Sequence, residues 1–437
     1  MLRLRARLAI AAALAALPAA LPAQDLTRIE RDQATTMLRE VRERIQRRYY
    51  DSTYGGVNLA ERYDTALARV QAARSLAAAF GAIAQFTLEL RDSHTFFLPP
   101  AQTVRVEYGW TMAMVGDTCR VLEVKPGSDA EAQGVHPGDR VRLVGGYEPS
   151  RASLWLLDYL FRVLRPQAGL QVVLETPAGQ RRELALAAKV VQRPKVMDLT
   201  GGNDGADLAQ LIRDDERDAR ELASVTVEVG DSVLAWKLPT FNVGESLIRA
   251  AFHRARGRAA LVVDLRGNGG GAERALQAFL GHLTPTDLTL GILHERKQQT
   301  PLVARAIRDD AFTGKVIVLV DSRSASASEV TARLLQLTSR GSVLGDRTMG
   351  AVMRGRGEQL TILAGGANAI LYGVSVTVAD LLMPDGGRLE GTGVTPDEFL
   401  LPTAADLATG RDPVLARALA LAGAPIDPAQ AAALFRR

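Results

Sequence analysis

The stretch VDSRSASASEV, Val320–Val330, follows the apolar run KVIVLV (Lys315–Val320) and opens the segment ASEVTARLLQLT, Ala327–Thr338. A short apolar run bounded by turn residues reads as a buried strand, and the apolar residues that recur after it read as one face of a helix. The serines then lie at a strand-to-helix turn. Ser326 falls at the helix N-terminus, where the helix dipole favours a developing negative charge and the N–H of Ala327 is placed to donate to an oxyanion. Serine is also an ordinary N-cap, so the stretch alone leaves capping and nucleophilic chemistry both open.

The same grammar extends on either side. SVLAWKLPTF (Ser232–Phe241) reads as strand, ESLIRAAFHRAR (Glu245–Arg256) as helix, AALVVDL (Ala259–Leu265) as buried strand and AERALQAFLGHL (Ala272–Leu283) as helix. Strands alternating with helices from about Val225 predict an α/β sheet. VVDLRGNGGG, Val262–Gly271, ends its strand in a glycine run before a helix. Such a turn exposes N–H groups suited to an oxyanion or a phosphate, or is simply tight. It is not a Walker loop, because no Gly-Lys-Ser/Thr follows. LEGTGVTPDEF, Leu389–Phe399, places Glu390 in a glycine-rich turn.

Upstream the pattern is different. In TTMLREVRERIQRRYYD (Thr35–Asp51), Met37, Leu38, Val41, Ile45 and Tyr49 share a helical face, as do Leu59, Tyr63, Leu67 and Val70 in the next segment. A third helix is expected to start at Ser75 and to close before Pro99 and Pro100. Short alternating strands follow from Val104, and the polar segment from Asn203 to Ala223 reads as a connection. The expected organisation is a helical N-terminal unit over 24–103, a strand-rich unit over 104–189, a linker over 190–224 and an α/β core over 225–437.

The first 24 residues, MLRLRARLAIAAALAALPAALPAQ, carry arginines, then an Ala/Leu run, then small residues ending at Ala23. That order reads as a secretory signal peptide over 1–23, since its apolar run is shorter than the ~20 residues that span a bilayer. An exported protein, periplasmic or secreted, with no stable membrane anchor is the expectation. Loss of Arg3, Arg5 and Arg7 lowers the formal charge from +4 to about +1, which removes any case for nucleic-acid binding. The single Cys119 excludes an internal disulfide and reads as a small core residue. The five histidines lack metal-ligand spacing, so neither a metal nor another cofactor is expected.

Two resemblances carry the reading further. PGS at Pro126–Ser128, a short helix, and GVHPGD at Gly134–Asp139 resemble a PDZ domain over 104–189. That likeness implies capture of a polypeptide C-terminus along a sheet edge. The residues Asp264–Gly271, Ser324–Glu329, Gly345–Gly350 and Glu390–Asp397, taken in order, resemble the C-terminal processing (tail-specific) proteases and the tricorn core protease. The resemblance implies an α/β multidomain fold: an N-terminal helical bundle, a PDZ domain and a crotonase/ClpP-like serine peptidase core. It makes Ser326 the nucleophile and assigns the oxyanion donors to the N–H groups of Gly270 and Ala327.

The tail-specific branch uses a lysine as general base, and its position here is Ala351; no lysine follows Lys315. Arg354 lies nearby but stays protonated. The tricorn branch uses Ser-His-Glu, which by motif position makes His94 the base and Glu390 its orienting partner, with Ser93 beside them. The expectation is an exported serine peptidase acting on unfolded or extended polypeptides. The alternative is an inactive pseudo-peptidase that binds a peptide or partner. The residues do not specify an oligomeric state or a natural substrate.

Overall fold

The computed structural model describes residues 26–100, 104–192, 223–363 and 369–436. The leader expected over 1–23 and most of the linker expected over 190–224 lie outside these residues.

Three helices begin the chain: α1 (Arg28–Arg48), α2 (Leu59–Ala72) and α3 (Leu76–Leu88). Each starts on a side-chain cap that satisfies an otherwise orphaned N–H, from Thr27 with Glu30, Asn58 and Ser75 in turn. Met37, Leu38, Val41 and Ile45 of α1 are buried against α2, α3 and a long strand of the core. Strand β1 (Phe96–Leu98) then takes the chain into the core sheet.

The next unit comprises β2 (Val104–Glu107), β3 (Trp110–Val115), β4 (Thr118–Val124), α4 (Asp129–Ala132), β5 (Arg140–Val144), α5 (Leu154–Tyr159), β6 (Gly169–Glu175), β7 (Arg181–Ala187) and β8 (Lys189–Gln192). Strands β3 to β7 form an antiparallel sheet in sequence order, with β3 at one edge, and β2 pairs with β8. Its interior holds Trp110, Val121, Val141, Leu174 and Cys119. Burial pushes the Cys119 thiol up to about 12, so it serves as an inert core residue.

The core follows: β9 (Val225–Val229), β10 (Val233–Lys237), α6 (Glu245–Ala255), β11 (Ala260–Asp264), α7 (Glu273–Gly281), β12 (Leu288–Glu295), β13 (Gln299–Ala304), β14 (Lys315–Val320), α8 (Ala327–Leu337), β15 (Ser342–Gly345), β16 (Met353–Leu363), β17 (Ala369–Leu382), β18 (Glu398–Phe399), α9 (Ala404–Ala408), α10 (Pro413–Leu421) and α11 (Pro428–Ala433). One sheet runs β18-β15-β14-β11-β10-β9; all neighbours are parallel except β9. Every residue of β11 is buried, as expected of a parallel strand covered on both faces. The second sheet is antiparallel and built on β17, which pairs with β16 along one edge and with β1 and β12 along the other.

Two features point the chain at one end of the parallel sheet. Asp264, at the end of β11, is 2% exposed. Burial alone would raise its pKa, but the Arg266 guanidinium and the Lys237 ammonium hold it well below the usual carboxylate range. Arg266 also grips Asp412 at the cap of α10, so the motif DLR ties the strand exit to the C-terminal helices. The strand-rich unit docks beside the same end: Ser322 Oγ donates to the Met114 carbonyl (2.6 Å), and Asp346 accepts from the Gly116 N–H (2.9 Å) and from Arg151 (2.6 Å).

Candidate active site

The serine turn lies between β14 and α8, beside the glycine run that leaves β11. Its three serines part company there. Ser324 Oγ donates to the Leu265 carbonyl (2.8 Å) and Ser328 Oγ to the Asn268 carbonyl (3.0 Å), and both side chains are fully buried. They stitch the turn to the exit of β11. Ser326 instead lines a cleft of about 630 Å³. Its backbone is at φ 53°, ψ −115°, a left-handed conformation that an L-residue with a side chain adopts only under constraint. The constraint is visible: the Ser326 N–H donates to the Ala351 carbonyl (3.0 Å), and the Met349 N–H to the Ser324 carbonyl (3.0 Å).

His94 lines the same cleft from the segment between α3 and β1. Its ring lies against β16, where a Cβ on Gly355 would stand 3.1 Å from Cδ2. Burial lowers the His94 pKa from 6.5, with the Asp92 carboxylate opposing that shift. Glu390 arrives on the loop before β18. That loop can approach because Gly393, at φ +71°, sits where a Cβ would be 2.7 Å from the Thr348 carbonyl oxygen. Asp397 braces it by accepting from the Val343 N–H (2.8 Å).

The structure brings Ser326, His94 and Glu390 to one place, with Ser93 interposed. Glu390 accepts from the Ser93 N–H (2.9 Å), from Ser93 Oγ (3.0 Å) and from the Val352 N–H (2.7 Å), while Ser93 Oγ lies 2.7 Å from His94 Nδ1. Burial raises the Glu390 pKa against the hydrogen bonds from Val352 and Ser93; in its ionised form the carboxylate only accepts, and the Ser93 hydroxyl proton then points to it. His94 Nδ1 must then be the donor to Ser93 Oγ, which leaves the Nε2 lone pair free. The direct contact expected between Glu390 and the imidazole is thus replaced by one through a hydroxyl, because Ser93 precedes the histidine in a tight turn and fills the gap. No hydrogen bond joins Ser326 Oγ to His94, although both line the same cleft.

The glycine run differs from expectation in one respect. Gly270 is packed against the serine, with φ +96° and a would-be Cβ 2.6 Å from Ser326 Cβ, but its N–H donates to Asn268 Oδ1 (2.8 Å). Asn268 is fully buried, and its Nδ2 is held by the Leu238 carbonyl (2.8 Å). A glycine-rich text cannot say which of its N–H groups a neighbouring side chain occupies. Gly270→Ala is expected to cost about 10²-fold in kcat and to lower Tm, because the new methyl meets the serine and the backbone conformation disfavours it. Kinetics and thermal unfolding of the variant check this.

Residues 233–399 match the description "Peptidase family S41". Over those residues the chain is similar to peptidase family S41. It is 24% identical over 359 residues to the tail-specific protease of Haemophilus influenzae, covering 78% of this chain and 48% of that one. It is 28% identical over 390 residues to the chloroplastic C-terminal processing peptidase of Tetradesmus obliquus, covering 82% and 75%. The chain therefore spans about half the length of the first relative and three quarters of the second. The crystal structure of mature CPAF superposes with a TM-score of 0.64 at 16% identity, over 87% of this chain and 94% of that one, a likeness of fold.

Ala351, the position the resemblance gives to the tail-specific lysine, is buried and carries no titratable group, and no lysine is among the residues lining the cleft. What occupies this part of the core is Glu329, whose contacts beyond the serine turn no local sequence pattern specifies. Its fully buried carboxylate accepts from Thr348 Oγ1 (2.5 Å) and from the N–H groups of Gly350 (2.7 Å), Ala351 (2.8 Å) and Ser326 (3.1 Å). Burial raises its pKa from 4.5 to about 7 against the pull of those four donors. Glu329 is the cross-brace between the serine turn and the segment beside it.

Proposed function

We propose that this chain is an exported serine peptidase of the C-terminal processing kind, cleaving unfolded or extended polypeptides with Ser326 as nucleophile, His94 as base and Glu390 as the anchor of His94 through Ser93. The observation that carries the reading is the Ser93 bridge. It fixes the tautomer that leaves Nε2 free to take a proton, in a cleft lined by a strained serine and by no lysine.

In this reading Ser326 Oγ attacks the scissile carbonyl carbon as its proton passes to His94 Nε2. The N–H of Ala327 meets the oxyanion, and the N–H of Gly270 joins it on exchanging Asn268 Oδ1 for the substrate oxygen. The C–N bond breaks as the imidazolium protonates the leaving amine. Water, deprotonated by the same His94, then releases the acyl group. Leu276, Leu293, Leu302, Val330 and Leu381 give the cleft an apolar wall for a substrate side chain.

Substrate delivery belongs to the strand-rich unit over 104–189, read as a PDZ domain. Strand β3 lies at the edge of its sheet, and beside its start Trp110, Met112, Leu157 and Phe161 line a narrow groove. An extended C-terminus added to that edge would be held by main-chain hydrogen bonds. Among the described residues no helix is long and apolar enough to cross a membrane.

The test is hydrolysis of an unfolded polypeptide, presented with a free and with an amidated C-terminus. Cleavage by the wild type, its loss in Ser326→Ala, and slower cleavage of the amidated substrate are expected. Equal rates on both substrates would remove the C-terminal recognition, and no cleavage of either would remove the peptidase reading.

A further inference from the structure

Glu390 reaches the imidazole only through a neutral hydroxyl, which leaves open what compensates the charge that His94 gains in each proton transfer. We propose that Asp92 supplies that compensation: it is a positioning residue that fixes the His94 turn and stabilises the imidazolium. This rests on the assignment of His94 as base made above.

The geometry is specific. Asp92 Oδ1 accepts three hydrogen bonds, from the His94 N–H (2.9 Å), the Thr95 N–H (2.7 Å) and Thr377 Oγ1 of β17 (2.5 Å). Thr95 and Thr377 are linked in turn, the Thr377 N–H donating to Thr95 Oγ1 (3.0 Å). The other oxygen, Oδ2, is buried and faces the Tyr49 phenol, a side-chain donor beside it, and Asp92 as a whole is 8% exposed. No arginine or lysine pairs with it among the described residues. A buried carboxylate held by neutral donors with no cation is costly to hold. That cost is offset when a positive charge forms next to it, and the neighbouring group that gains one during the reaction is His94.

The other charged and titratable groups around the site are accounted for. From the end of α1, the Tyr49 phenol lies beside the carboxylate; burial, the Asp92 charge and a side-chain hydrogen bond to Asp92 push it well above its usual value, so it stays a neutral donor and brings no positive charge. Burial, with Asp380 and Asp51 adding to it, likewise raises Tyr50. Asp51 is occupied by Thr53 and Gly55. Arg296 donates to the Tyr49 carbonyl (2.9 Å), Arg388 pairs with Asp380 (2.8 Å), and Arg354 stands between Glu273 (3.4 Å) and Glu295 (3.6 Å). Asp92 and Glu390 are left as the acids that bear on the imidazole, and Asp92 raises the His94 pKa against the lowering effect of burial.

Asp92→Asn tests this, because the amide oxygen can keep all three accepted hydrogen bonds while the charge is removed. The acid limb of kcat/KM is expected to move to lower pH by about one unit, since the imidazolium loses its stabilising neighbour, and kcat to fall about tenfold or more. A limb that stays put with unchanged kcat would overturn the proposal. Should the asparagine variant fail to fold, Asp92→Glu decides: it keeps the charge, so its acid limb is expected at the wild-type pH, and a limb displaced downward would count against Asp92. Failure of the base assignment shows separately, as fluorophosphonate labelling of Ser326 that proceeds at the wild-type rate in His94→Ala.

Discussion

Replacing His94 by alanine is expected to lower kcat for peptide hydrolysis by about 10⁴-fold or more, with Tm little changed. The size follows from the absence of a substitute. Arg354, the cation in the cleft lining, keeps its proton, Glu390 is held by Ser93 and Val352, and Ala351 offers nothing to titrate. The fold should tolerate the change, because His94 is only half-buried and the turn that carries it is held by backbone N–H groups on Asp92. The alanine leaves a space between Ser93 and Gly355 that free imidazole fits, so partial rescue by added imidazole is the accompanying expectation. Steady-state kinetics with and without imidazole, beside thermal unfolding, check it. A variant that retains wild-type kcat would place the base elsewhere.

The second large effect is on stability and belongs to Glu329. Glu329→Leu strips the acceptor from the N–H groups of Gly350 and Ala351 in a fully buried site. At ~1–3 kcal/mol for each orphaned group, a loss of about 4 kcal/mol is expected from a total stability of ~5–15 kcal/mol, with activity lost because the serine turn is no longer braced. Glu329→Gln separates the charge from the hydrogen bonds. With a folded pKa of about 7 against an ordinary 4.5, the wild-type group favours folding fully below pH 4.5, and this contribution is lost as pH rises through 7. The loss is on the order of 3 kcal/mol. The glutamine variant should lack this slope, so denaturant unfolding at pH 5 and pH 7.5 should show a smaller change than in the wild type. Asp264, whose pKa is held low, acts in the opposite sense, contributing stability above its ordinary 3.8 that is lost as pH falls further.

Local chemistry made part of this legible without coordinates. The apolar run before the serine turn, the cap at Ser75 and the fully apolar β11 are short-range patterns, and the structure has a strand or a helix at each. The long β16–β17 hairpin escaped the same reading, because Gly355 and Gly357 alternate with Arg354, Arg356 and Glu358 and break any apolar period. Most of the site is non-local. Ser93 and Glu390 are 297 residues apart, and Asp92 and Thr377 are 285 apart, so their meeting is written in β-sheet register and loop approach rather than in spacing. His94 and Glu390 could be singled out only through resemblance to a family. The Ser93 bridge and the capture of the Gly270 N–H by Asn268 are side-chain geometry, to which periodicity is blind.

Activation of Ser326 by His94, with no lysine in the cleft lining, is open to a chemical test. Intact-mass analysis after exposure to a fluorophosphonate, applied to the wild type, Ser326→Ala and His94→Ala, tests it most directly. A single adduct is expected on the wild type, none on Ser326→Ala, and labelling slowed by orders of magnitude in His94→Ala. A wild type that takes up no label, with or without a bound peptide, or a His94→Ala variant that labels at the wild-type rate, would contradict it.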